Sequence, residues 1–268
     1  MNRFVVRHIV SIRVMIGKLL TTVLAPRRNV ATLGGLVRTM ATPTPTRTEV
    51  QAHGFQWEKE LMVNVYGATM DELKQIRYTH KVDLPAAFNR LDGCDLSIKT
   101  SCRPNMVCMA DCLRIFDATG ADTGAFRMVV VHYTQDDAMG VKRIARITEL
   151  ELAYSRELLF GTLTREQIET LDAMVKRVPA KRKPTEEEYN DMYALRDELQ
   201  ACSEAIHLDI KCNSTQSRLQ CSFHRFQEFM ARYPSRVIAT SETNAFRGGI
   251  IVAEIQSSRR VFRKKQTV

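Results

Sequence analysis

The chain has 268 residues, 44% of them hydrophobic and 26% charged, which is enough for one sizeable folded domain and excludes a chain disordered by composition. Its net charge of +9 suggests a polyanionic partner, but eight of the 39 basic residues lie in residues 1–48, which contain no acidic residue. The other 31 basic residues face 30 acidic ones, so overall charge does not predict nucleic-acid binding by the body of the chain.

Residues 1–48 form a basic leader. Arg13 and Lys18 interrupt its apolar runs, which argues against a membrane-spanning helix and is typical of an organelle presequence. The alternative is that translation starts at Met40, and both interpretations leave residues 49–268 as a single domain. The seven cysteines contain no CxxC pair, which disfavours a zinc site and predicts reduced thiols. We therefore expect an intracellular protein, with mitochondrial import if the leader is translated.

The first predicted element is a helix over residues 53–66. Trp57, Leu61 and Val65 repeat at helical spacing and form its apolar stripe. Glu58 lies at the edge of that stripe, where a carboxylate is usually a solvated charge and less often a functional group.

Next along the chain, an acidic side chain lies on a rigid backbone. Pro85 has a fixed φ angle and biases its predecessor, Leu84, towards an extended conformation. Asp83 is therefore expected on extended chain outside any helix. A carboxylate held in this way can bind a divalent cation.

A short strand is predicted to follow that turn. Leu96 and Ile98 alternate with Ser97 and Lys99, so the two polar side chains share the face opposite the apolar ones. Asp95 lies two residues before Ser97 and shares its face if the strand begins that early, which makes Asp95 a second candidate metal ligand.

The middle of the chain predicts two central strands and three helices. The β-rich runs at 127–133 and 143–152 predict the strands, separated by a polar turn. Asp111 suits the N-cap of a helix that runs to residue 116. Thr164 and Thr185 each begin a capping-box pattern and so predict two longer helices.

Between these longer helices lies the densest basic cluster of the body. Lys181 and Arg182 are its candidate DNA contacts, because a run of positive charge can lie along phosphates. The same run also fits an ordinary solvated face.

The runs 206–212 and 217–223 alternate and are joined by a polar turn, which predicts a C-terminal β-hairpin. Its second strand places Arg218, Gln220 and Ser222 on one face. Arg and Gln make bidentate contacts with guanine and adenine, and a two-stranded ribbon fits the major groove, although a polar solvent face fits the spacing equally well. The hairpin also contains a second D-x-K string, Asp209-Ile210-Lys211, which is a rival position for the site.

Five short strings occur in order between residues 51 and 230. They are HGFQWE at 53–58, KVDLP at 81–85, SIKT at 97–100, DCLRIF at 111–116 and RLQCS at 218–222. Each string is weak alone. Together they resemble the restriction-endonuclease-like proteins of large DNA viruses and phages, which belong to the PD-(D/E)XK nuclease superfamily. Ser97 departs from that pattern, because the superfamily usually has Asp or Glu there.

The resemblance implies an α/β domain with a mixed central sheet flanked by helices, and a magnesium-dependent endonuclease acting on double-stranded DNA. In this hypothesis Asp83 binds Mg²⁺ together with Glu58 or Asp95, and Lys99 positions the attacking water beside Ser97. Cutting both strands of a symmetric site would suggest a homodimer, and no membrane partner is expected. Ser97 suggests the alternative, a catalytically inactive DNA-binding protein that retains the nuclease fold.

Overall fold

Two β-sheets of different size organise the described part of the chain. The computed structural model describes residues 49–76, 80–120, 124–136 and 138–256, with side chains from residue 54 onwards. The leader at residues 1–48, and with it the predictions made for it, lies outside the described residues. The strands are β1 (Asp95–Ser101), β2 (Met106–Asp111), β3 (Phe126–Asp136), β4 (Val141–Glu151), β5 (Ile206–Lys211), β6 (Arg218–His224), β7 (Val237–Ser241), β8 (Ala245–Phe246), β9 (Ile250–Ile251) and β10 (Ile255–Gln256).

The helices lie around these strands. They are α1 (Glu49–Glu60), α2 (Met70–Gln75), α3 (Cys112–Ala118), α4 (Arg156–Phe160), α5 (Arg165–Arg177), α6 (Glu186–Gln200) and α7 (Phe226–Arg232), with a π-helical turn at Leu61–Val65 and 3₁₀ turns at Ala86–Phe88 and Pro234–Arg236. Within the described ranges, none of the helices combines the length and the apolar character needed to cross a membrane.

The larger sheet is mixed. Strand β1 pairs in parallel with β3, from Asp95 opposite Phe126 to Ser101 opposite His132. Strand β4 pairs antiparallel with β3, with β7 and with β10, so β1 forms one edge of the sheet. This architecture confirms the predicted α/β class with a mixed central sheet flanked by helices. Within β3, His132 is buried, with its ring 5.3 Å from that of Phe226.

Alternation along β1 and β3 sends neighbouring residues into two different cores. Leu96 and Ile98 pack in the core that contains Trp57 of α1, whereas Met128 and Val130 pack in the core that contains α3, α5 and the smaller sheet. The register places Ser97 and Lys99 opposite Met128 and Val130 respectively, so both polar residues project towards the second core from the sheet edge.

The smaller sheet has the strand order β2-β6-β5, and its β5–β6 pair is the predicted hairpin, which is confirmed. Its outer edge is closed by a side chain. The Gln200 amide donates to the Ile206 carbonyl at 2.8 Å and accepts from the Leu208 N–H at 2.8 Å. These bonds satisfy backbone groups that an edge strand otherwise exposes.

The predicted helix starts follow from local capping. Thr164 and Thr185 each accept from a backbone N–H three residues ahead, at 3.3 and 3.2 Å, so both capping boxes are confirmed. Asp111 caps α3 by accepting from the Arg114 N–H at 3.0 Å, as predicted. The two threonine hydroxyls and the Asp111 carboxylate accept hydrogen bonds from backbone N–H groups that have no acceptor within the first turn of their helix.

A buried ion network ties the C-terminal segment to the larger sheet. Glu149 of β4 is completely buried and pairs with Arg127 at 3.1 Å and Arg247 at 2.7 Å. Asp92 pairs with the same two guanidinium groups, at 2.7 and 3.0 Å, and Glu151 pairs with Arg127 at 3.1 Å. Asp92 therefore helps Glu149 to neutralise the two guanidinium groups.

Candidate active site at the edge of the larger sheet

Asp83 is fixed beside the edge strand by backbone pairing. Leu84 and Leu96 exchange two N–H···O bonds of 3.0 and 2.9 Å in an isolated antiparallel bridge, and the Asp83 N–H donates to the Leu96 carbonyl at 3.0 Å. The extended backbone that was predicted before Pro85 therefore lies alongside β1 and presents the Asp83 side chain to it.

One oxygen of Asp83 then receives three donors from β1. Its Oδ2 atom accepts from the Ser97 hydroxyl at 3.0 Å, the Ile98 N–H at 2.6 Å and the Lys99 ammonium at 2.8 Å. The Lys99 ammonium also donates to the Ile98 carbonyl at 3.1 Å. The ion pair thus satisfies both backbone groups of Ile98 on the side of β1 that faces away from β3.

Glu58 joins this ion pair from a different element. Its pKa is raised to about 7, first because burial near the end of α1 disfavours the charged carboxylate and second because Asp83 repels it, while Lys99 opposes the rise. The charge effects of Asp83 and Lys99 on this pKa require Glu58 to lie within electrostatic range of the pair. The structure therefore joins Asp83, Ser97 and Lys99 by hydrogen bonds, with Glu58 close enough to feel the charges of Asp83 and Lys99; these are the four residues that the sequence proposed for catalysis.

The raised pKa of Glu58 makes stability depend on pH. A folded-state pKa of about 7, above the ordinary 4.5, means that this group contributes stability that is fully present below pH 4.5 and lost as the pH rises through about 7. Glu58→Gln mimics the protonated form. We expect its free energy of unfolding, relative to that of the wild type, to be about 2 kcal/mol higher at about pH 8 than at about pH 5. Urea unfolding at both pH values measures this difference.

Glu187→Gln is the matched control, because Glu187 is exposed on α6. Its unfolding free energy should follow the wild type at both pH values. If the unfolding free energy of Glu58→Gln also depends on pH as that of the wild type does, the pKa of Glu58 is not raised by burial and by the charge of Asp83.

Asp95 is engaged elsewhere. Its Oδ1 atom accepts from the Ala86 N–H at 2.8 Å, at the start of the 3₁₀ turn that follows Pro85. Asp95 therefore braces the loop that carries Asp83. Strand β1 begins at Asp95, so Asp95 shares a face with Ser97 and Lys99, as the sequence allowed, and metal binding by Asp95 or by Glu58 remains a prediction.

The hairpin residues proposed to contact DNA share one face, but two of them are buried. Gln220 and Ser222 are 8% and 4% exposed. The Ser222 hydroxyl donates to Asp209, and Gln220, with its amide oxygen turned towards Arg218, accepts from that guanidinium at 3.2 Å. Arg218 and Gln220 therefore bond to each other, so neither presents an unpaired bidentate fork to a base. A role in DNA contact remains a prediction.

The basic cluster between α5 and α6 contacts the hairpin turn. Arg182 pairs with Glu188 at 2.6 Å, so part of its charge is neutralised. The Lys181 N–H donates to the Ser214 carbonyl at 2.8 Å from a left-handed backbone conformation, φ 63°. The side chain of Lys181 is exposed, and its contact with phosphates also remains a prediction.

The rival D-x-K string lies in the smaller sheet. Asp209 accepts the Ser222 hydroxyl, and its other oxygen is 3.9 Å from the His207 ring nitrogen. Lys211 is exposed and lies opposite Arg218, so this aspartate and lysine do not repeat the ion pair seen at β1.

The donor set at β1 suits a hard divalent cation. Among the residues that the structure describes, no group of three or more His, Cys, Asp or Glu side chains is arranged to hold a metal ion. Two carboxylates, those of Glu58 and Asp83, would therefore be joined by the Ser97 hydroxyl, the Ile98 carbonyl or water. Such all-oxygen sets, completed by water, are typical of Mg²⁺.

Comparisons with known proteins give no relative. No family model matches the chain, no curated protein matches it and no solved structure matches it. The resemblance to restriction-endonuclease-like proteins therefore depends on the five sequence strings and on the geometry at the edge of β1.

Proposed function

We propose that this protein is a magnesium-dependent endonuclease that hydrolyses phosphodiester bonds of double-stranded DNA, built on a restriction-endonuclease-like domain. The observation that carries the proposal is the convergence of Glu58, Asp83, Ser97 and Lys99. Asp83, Ser97 and Lys99 are hydrogen-bonded at one sheet edge, and Glu58 of α1 lies near enough for the charges of Asp83 and Lys99 to affect its pKa.

The surrounding topology supports this proposal. The Asp83–Leu84 segment runs antiparallel to β1, β3 runs parallel to β1 on its other side, and α1 packs over the apolar face of β1. A fixed carboxylate beside a strand that presents a lysine is the arrangement that the D…(D/E)xK pattern implies.

The residues have complementary roles in this reaction. Attack on a phosphodiester is slow because nucleophile and target are both electron-rich, so positive charge must be supplied at the site. Asp83 and Glu58 would hold Mg²⁺, which when bound supplies charge neutralisation and lowers the pKa of its water. Lys99 would orient the attacking water and stabilise charge on the phosphate. Ser97 keeps Asp83 oriented through its 3.0 Å bond.

A second candidate function is DNA binding without cleavage on the same fold. It is favoured by one observation, the neutral Ser97 where the superfamily usually has an acid. With Ser97 and Lys99 both donating to Asp83, the ion pair also has a purely structural explanation as a cap on the edge of β1.

Incubation of the full-length protein with supercoiled plasmid distinguishes these functions. We expect nicked and linear DNA with Mg²⁺ and none with excess EDTA or with Ca²⁺, which binds oxygen sites but rarely supports this chemistry. Discrete fragments would indicate sequence-specific cutting. A mobility shift in Ca²⁺ without cleavage in Mg²⁺ would favour the non-catalytic candidate. If the protein neither cleaves the DNA nor shifts its mobility, both candidate functions are rejected.

A further inference from the structure

The Lys99 ammonium occupies the space between two oxygens of the proposed cation site. It lies 2.8 Å from Asp83 Oδ2 and 3.1 Å from the Ile98 carbonyl oxygen. Its side chain is only 17% exposed, and that of Asp83 is 26% exposed. A positive charge is therefore already held by the oxygens that a divalent cation would use.

Asp83 Oδ2 is crowded by donors. It accepts three hydrogen bonds, so a cation that bound this oxygen would compete with them. The Ile98 N–H is fixed by the strand, and the Ser97 hydroxyl can rotate to offer a lone pair. Lys99 has a flexible four-carbon stem, so it is the donor that can move away.

We infer that Lys99 is an internal competitor of the divalent cation, holding its position in the cation-free protein and leaving it when the cation binds. This inference rests on the proposed function. A cation about 2.1 Å from Asp83 Oδ2 would lie close to an ammonium 2.8 Å from the same atom, and the two charges would repel each other.

Charge balance makes the exchange reasonable. Asp83 alone balances one ammonium, whereas Asp83 and Glu58 together balance one divalent cation. The neutral Ser97 adds no third negative charge that could hold both at once. Cation binding then releases Lys99 in the position where a phosphate or its attacking water would lie, so the lysine becomes available only when the cation is present.

The test measures cation affinity directly, by Mn²⁺ titration followed by electron paramagnetic resonance on the full-length protein. We expect Lys99→Met to bind Mn²⁺ at least about tenfold more tightly than the wild type, because the competing charge is gone. Lys99→Arg keeps the charge and should bind no more tightly than the wild type. Lys81→Met removes an exposed charge near Asp83 and should change affinity less than about twofold.

If the wild type binds Mn²⁺ and Lys99→Met binds it equally or more weakly, the inference is wrong while the proposed function stands. If neither protein binds Mn²⁺ and the wild type cleaves no plasmid, the proposed function fails as well. Thermal unfolding in EDTA establishes that each variant is folded.

A measurement on the wild type covers the case in which Lys99→Met does not fold. The ammonium of Lys99, held by two oxygens, should give a protected ¹⁵N–H signal, assigned by its absence from Lys99→Arg. Saturation with Mg²⁺ should abolish this signal. A signal that persists unchanged in saturating Mg²⁺ would mean that Lys99 keeps its place, and the inference would be overturned.

Discussion

Asp83→Asn should lower the rate of magnesium-dependent plasmid cleavage at least about a thousandfold at saturating DNA. The substitution removes the charge that would hold the cation and pair with Lys99. The side-chain oxygen of Asn can still accept from the Ile98 N–H, now bonded at 2.6 Å, so the loop should stay folded. Initial rates over a range of Mg²⁺ concentrations measure the effect, since weaker cation binding and a slower reaction then separate.

Two aspartates provide matched controls for this variant. Asp95→Asn alters a carboxylate that bonds the Ala86 N–H, and Asp209→Asn alters the acid of the rival D-x-K string. We expect both variants to keep cleavage rates within about threefold of the wild type, because neither carboxylate is paired with Lys99. A large loss in Asp209→Asn with an unaffected Asp83→Asn would move the site to the smaller sheet.

Glu149→Ala should lower the free energy of unfolding by about 3–5 kcal/mol, because truncating one partner leaves buried charge uncompensated. Glu149 is completely buried, and it is bonded to Arg127 and Arg247, whose side chains are 17% and 23% exposed. Burial and the negative charge of Glu149 also raise the pKa of Tyr66, so the phenol stays neutral beside the network. Urea denaturation at pH 7 measures the loss.

Glu151→Ala is the control for the network, since Glu151 is 22% exposed and pairs only with Arg127 among these arginines. It should cost about 1 kcal/mol. A double variant, Glu149→Ala with Arg247→Ala, should lose less than the sum of the two single losses. A loss below about 1 kcal/mol for Glu149→Ala would mean that water replaces the missing carboxylate and that the network contributes little to stability.

Local patterns in the sequence predicted elements whose cause is local. The capping boxes at Thr164 and Thr185 depend on side chains three residues apart, and the alternation in β1 depends on neighbouring residues. The strands over 127–133 and 143–152 were found, but each is longer, at 126–136 and 141–151. Polar strand ends such as Thr134 to Asp136 carry little β signal.

Elements without a local signal were missed. Strand β2 contains a bulge at Ala110, whose φ of 88° breaks the alternation that a sequence pattern needs. Strand β7 and the short pair β8–β9 depend on partners far along the chain. The apolar run near residue 250 forms only a two-residue strand, Ile250–Ile251, paired with β8.

The candidate site was more predictable than the residues proposed to contact DNA. Asp83, Ser97 and Lys99 lie within a span of 17 residues, and a short loop joins them, so their meeting requires little long-range information. Gln220 and Ser222 were correctly placed on one face, but alternation does not reveal what covers that face. Ser222 bonds Asp209 on the neighbouring strand β5, and Gln220 contacts Arg218, two residues earlier on β6.

Periodicity and turn chemistry in the sequence determined the helix caps and the shared face of Ser97 and Lys99, whereas the α/β class and the grouping of Asp83 with Lys99 in one site were what the resemblance implied. Only the tertiary structure decided that Glu58 lies near that group, that Asp95 bonds the Ala86 N–H, that Gln200 closes one sheet edge, and that Glu149 is a buried charge paired with Arg247, 98 residues away. Contacts between distant segments depend on how whole elements pack, and no local spacing in the chain encodes that packing.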